Sequence, residues 1–104
     1  MPVVVTGKMD GITDYEISMI KDIIAIALVN KPGDFSGMAS EIATKTTAKL
    51  YGAWNVICGE SNPYGDKDSS FGKAVYPNQQ KLVQFSVADE EKQRWKEFFF
   101  VWLS

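Results

Sequence analysis

Four groups of residues have types and spacings that could do chemistry. The first is Cys58, the one cysteine in the chain. A thiol nucleophile needs an activating base, and the chain contains no histidine. That removes Cys-His and Ser-His-Asp activation together with every His-based metal site. Cys58 shares one side of an alternating stretch with Trp54 and Val56, which reads as a small buried hydrophobe. The second group, Asp66-Lys67-Asp68-Ser69-Ser70, opens like a calcium loop. Such a loop needs glycine at its sixth position and glutamate at its twelfth, and Phe71 and Pro77 stand there. The third is the run Asp89, Glu90 and Glu91. Catalytic carboxylate pairs need one buried member with a raised pKa, and a charged turn offers no burial. The fourth is Trp54, Trp95 and Trp102, which could stack on bases only beside a basic groove. Gly59 and Gly65 do not form a phosphate loop, because no Gly-Lys-Ser/Thr follows the second glycine. These readings predict no enzyme, no cofactor and no bound metal.

The charge balance agrees. The net charge is −2 and the sequence pI about 5.0, with 11 Lys and Arg that never adjoin. Neither a nucleic-acid face nor a membrane-surface patch is expected. The chain has 104 residues, 45% hydrophobic and 23% charged, which fits one globular domain spanning 1–104. A lone cysteine allows no internal disulfide and fits a reducing compartment. Met1 to Gly7 has no basic or long apolar stretch, so no signal peptide is expected. The apolar run Ile23 to Val29 is far short of the roughly 20 residues that span a bilayer. A cytoplasmic protein without membrane insertion is expected.

The elements that would position these residues come next. Pro2 to Thr6 is β-branched and predicts an edge strand, with a turn from Gly7 to Ile12. Thr13 to Glu16 is a T-x-x-E capping box. Behind it Ile17, Ile20, Ile24 and Leu28 recur at helical spacing, with Ile23 and Ile26 widening the stripe. Pro32 and Gly33 stop this helix near Asn30. A second helix starts near Asp34 or Ser36, carries Phe35, Met38, Ile42 and Leu50 on one stripe, and ends at Gly52. Four strands follow: Trp54 to Gly59, Phe71 to Tyr76, Leu82 to Ala88 and Arg94 to Leu103. The order strand, helix, helix, four strands predicts an α+β fold with the two helices packed on an antiparallel sheet.

The last strand is apolar on both sides. Phe98, Phe100 and Trp102 face one way, and Phe99, Val101 and Leu103 the other. A half-exposed strand would be polar on one side. Both faces are therefore expected to be covered, one by the helices and the other by a second copy of the sheet. Cover by a loop is the alternative.

The stretch from Phe35 to Gly72 resembles the dynein light chain type 1 family. A helix ends in Leu50-Tyr51-Gly52-Ala53, runs into Trp54-Asn55-Val56-Ile57-Cys58-Gly59, and is followed after a loop by Phe71-Gly72. The family shows Tyr-x-x-x-Trp, an alternating strand to Gly, and then Phe-Gly. Axonemal dynein light chains and tegumental proteins of parasitic flatworms carry domains of this family. The resemblance implies a homodimer in which the third strand crosses to the partner's sheet. It also implies grooves that bind extended client segments by strand addition. By position, the groove would be Phe71, Gly72, Lys73, Ala74, Val75 and Tyr76, with Phe35 and Ser36 from the other subunit and Lys8 nearby. Phe98, Phe100 and Trp102 would form the dimer contact. Partners would be peptide segments of dynein intermediate or heavy chains or other clients. The setting would be the cytoplasm and cytoskeleton, with the cilium or axoneme as one place. Tyr76-Pro77 stands where the family has Thr-His, Lys73 stands where a small residue is usual, and both loops of the second half are longer. A fixed structural subunit of a dynein or cytoskeletal assembly, without general peptide binding, is the alternative.

Overall fold

A computed structural model describes residues 3–60, 81–89 and 94–104. In chain order these form β1 (Val3–Lys8), α1 (Asp14–Asn30), α2 (Phe35–Lys49), β2 (Trp54–Glu60), β3 (Leu82–Asp89) and β4 (Arg94–Leu103). The strands make one antiparallel sheet in the order β1-β3-β4-β2. The fold is α+β, with both helices on one face of the sheet. The expected strand Phe71 to Tyr76 lies outside the described residues.

The capping box forms as the sequence predicts. The Thr13 amide donates to Glu16 Oε1 at 2.9 Å, and the Glu16 amide donates to Thr13 Oγ1 at 3.1 Å. Asp34, rather than Ser36, caps α2, accepting from the Gly37 amide at 2.9 Å. Ile20, Ile23, Ile24 and Ala27 of α1 and Met38, Ile42 and Thr46 of α2 are buried against the sheet. Ile26 is about half exposed and does not widen the buried stripe. Its place is taken by Ala27, which lets the helix approach more closely.

Three boundaries differ from expectation. The first strand runs on to Lys8 instead of turning at Gly7, because an irregularity between Val5 and Gly7 restores its pairing with β3. The second helix ends at Lys49, before Gly52; Leu50 turns inward and is buried. Gly52 has φ +104°, and a Cβ there would collide with Leu103 Cδ1. That position needs glycine both for its backbone and for its contact. The strand β3 takes in Asp89, which the sequence placed in a charged turn, and the rest of that expected turn lies outside the described residues.

Register sorts the sheet into two faces. Val56, Val101 and Val83 lie in one rung of the helix side, and Cys58, Phe99 and Phe85 in the next. Phe85, Phe99, Val83 and Val101 are fully buried there. On the opposite face, Ile57, Phe100 and Gln84 share a rung, as do Gly59, Phe98 and Ser86.

Candidate functional site

β4 is central, and the inner side of its apolar pattern is filled by the helices. Its outer side is different. Phe98, Phe100 and Trp102 are half-buried, whereas Phe99 and Val101 on the inner side are fully buried. The Phe98 and Phe100 rings meet edge to face at 5.6 Å between centroids. The Phe98 ring also lies over Gly59, where an added Cβ would stand 3.3 Å from its Cε1. Ile57 is 53% exposed beside Phe100, and Val4 is 39% exposed at the far edge. The outer face thus presents an apolar band across β2 and β4. On β3 the band gives way to buried polar residues, Gln84 and Ser86, with Ser86 Oγ 3.0 Å from Thr6 Oγ1.

Among the described residues the sheet has two edges, β1 and β2. Among the described residues β2 pairs only with β4, along its whole length from Trp54 to Glu60. The start of α2 stands beside this edge. The Cys58 thiol donates to the Phe35 carbonyl at 3.4 Å, which ties the first residue of the helix to β2. Phe35 and Ser36 therefore lie together at the β2 side of the sheet. Lys8 does not join them in one chain. It sits at the end of β1, on the opposite edge, with its Nζ 3.9 Å from Asp14 Oδ1. Three strand spacings, roughly 14 Å, separate β1 from β2. Phe71, Gly72, Lys73, Ala74, Val75 and Tyr76 lie outside the described residues.

Cys58 is half-buried rather than enclosed. Burial pushes its thiol pKa up, and the nearby Glu97 adds to the effect. A thiol held protonated is a poor nucleophile.

Sequence reasoning missed two features. Glu97 shares the helix-side parity of Phe99 and Val101, and it is only 6% exposed. It stands directly across from Glu60 in the β2–β4 ladder, and its buried Oε1 has no hydrogen-bond partner among the described residues. Burial raises the Glu97 carboxyl pKa; Lys96 pulls it down and Glu60 pushes it up. Parity counted back from Phe99 would have found this residue. The second feature is Lys81, whose Nζ bonds both oxygens of Glu16 at 2.7 Å. Burial works against the Glu16 charge, but the bonds from Lys81 and Thr13 lower its pKa overall. One carboxylate thus caps α1 and holds the residue that leads into β3. No local signal joins positions 65 residues apart.

Among the described residues no three His, Cys, Asp or Glu side chains gather to hold a metal. No helix there is long and apolar enough to cross a membrane. What the described residues define is a two-helix layer on a four-stranded sheet, with the edge strand β2 flanked by a helix start. No protein-family model and no curated protein matches the chain.

Proposed function

We propose that the protein is a non-enzymatic dimeric adaptor, similar to the dynein light chains, that binds extended peptide segments by strand addition at the β2 side of its sheet. The observation that carries this reading is β2 itself. It offers seven residues of edge with pairing, among the described residues, on one side only. Such an edge is a template for another strand. Strand addition takes affinity from backbone hydrogen bonds and selectivity from pockets for alternate side chains. The start of α2 supports the same reading, because Phe35 and Ser36 stand where they could wall a groove along that edge.

The dimer draws support from the outer face. Phe98, Phe100, Trp102 and Ile57 present an apolar band that a second copy would cover. Lys8 on the far edge would reach the same groove as Phe35 and Ser36 only if two copies built it. Clients would be extended segments of dynein intermediate or heavy chains or of other cytoplasmic proteins, in a cytoskeletal setting that includes the cilium or axoneme.

The test combines mass in solution with a peptide array. A dimer at micromolar concentration that retains many short extended peptides supports the adaptor. A dimer that retains a single partner segment points to a fixed structural subunit. A monomer that retains none contradicts the proposal.

A further inference from the structure

The Glu60–Glu97 rung is unexplained by folding alone. Two carboxylates face each other at the last rung of the β2–β4 ladder, on the helix side of the sheet. Like charges directly opposite across a ladder are unfavourable. Glu97 is buried, and among the described residues its Oε1 has no hydrogen-bond partner, which is costly for a group that could have been apolar. Glu60 is exposed at the rim. Cys58 is two residues before Glu60 on the same face, and its thiol touches the Phe35 carbonyl. The acidic rung therefore lies at the end of β2 where α2 begins, beside the edge assigned to peptide binding.

We propose that this rung is a specificity site for a Lys or Arg side chain of the segment bound at the β2 side. This rests on the peptide-binding reading above and names the chemistry of the partner. Glu60 makes the contact at the rim. Glu97, enclosed behind it, supplies a second negative charge through a medium of lower dielectric than water, where its field is strong. An Arg or Lys donates several hydrogen bonds and removes the repulsion between the two carboxylates. Without the cation the rung is destabilising, so occupancy by a neutral or acidic residue is penalised.

A displayed library of random decapeptides, selected on the wild-type protein and on the Glu60→Gln/Glu97→Gln double variant, provides the test. Both replacements remove charge without removing bulk, and the double variant is expected to fold. The wild type should enrich Lys or Arg at one fixed peptide position. Replacing that residue by norleucine should weaken binding about tenfold, the worth of one modest charged contact. The double variant should bind the two peptides alike and lose the enrichment at that position only. Selected peptides with no basic position, or equal affinity of the norleucine peptide for the wild type, would overturn the rung as a site while leaving strand addition intact. Failure to select any peptide would overturn the rung and the adaptor reading together.

Discussion

Phe99 and Phe100 are neighbours on the central strand, and truncating each to alanine should give qualitatively different results. Phe99 is fully buried against the helices. Phe99→Ala leaves a cavity in the core and should cost about 3–5 kcal/mol whatever the protein concentration. Phe100 is half-buried on the outer face. A phenylalanine that buries roughly 200 Å² in full keeps most of that, about 150 Å², within one chain. At about 25 cal/mol per Å², its truncation removes on the order of 4 kcal/mol from the isolated chain. If a second copy covers the remaining area of about 50 Å², each protomer loses about 1 kcal/mol more, or about 2.5 kcal/mol per dimer. At 1.4 kcal/mol per tenfold, the dimer would weaken by about fiftyfold. Sedimentation equilibrium and thermal melts from low to high micromolar concentration read this directly. The wild type and Phe99→Ala should melt at temperatures that rise with concentration, whereas the Phe100→Ala midpoint should begin to rise only at concentrations about fiftyfold higher. A wild-type monomer whose midpoint ignores concentration would refute the reasoning, and the outer band would then have another cover.

Thr13→Ala should cost about 1 kcal/mol, a fall of about 4–8 °C in melting temperature, because one cap bond is lost; an unchanged midpoint would mean that the cap contributes nothing. Lys81→Met should cost less than about 1 kcal/mol, since the bridge is partly exposed. The Glu16 carboxyl is lowered in the fold, so its contribution is present above the unfolded pKa of about 4.3 and is lost as pH falls through the folded value. Glu97 has the opposite sign. Its pKa is raised in the fold, so the stability it contributes is complete below about pH 4.3 and is lost as pH rises through the folded value. Glu97→Gln should therefore be the more stable protein at pH 7 and nearly equal to wild type at pH 4, checked by urea melts at the two pH values. Gly52→Ala should cost about 1–3 kcal/mol from its left-handed backbone alone, with the Leu103 collision added.

Local patterns carried most of the fold. The T-x-x-E box, the helical spacing behind it and the Pro32-Gly33 stop set α1 almost to the residue, because each acts within one turn of chain. The ends of β4 were legible for a similar reason: a ten-residue stretch closing on six consecutive aromatic and aliphatic residues leaves little choice of structure. Gly7 signals a turn, yet tertiary pairing with β3 carries β1 past it. Ile26 failed for a geometric reason, since a residue type fixes hydrophobicity but not its angle to the sheet. The candidate site was only partly legible. Phe35 stands beside β2 and Lys8 at the opposite edge of the same chain, and the expected groove strand 71–76 lies outside the described residues. The pairing of Glu60 with Glu97 depends on register between strands 37 positions apart, which no local pattern encodes. The bridge from Lys81 to Glu16 has the same origin.

The central claim is that an extended peptide docks along the β2 side next to the start of α2. Amide chemical-shift mapping of the labelled protein, titrated with an array-selected peptide, tests this most directly. The account predicts shifts concentrated at Phe35, Ser36 and along Trp54 to Glu60. It also predicts that alternate amides of that strand, exchanging freely in the unbound protein, become protected on binding. Shifts confined to β1, or to the exposed side of α1 around Ile26 and Val29, with exchange along β2 unchanged, would contradict it.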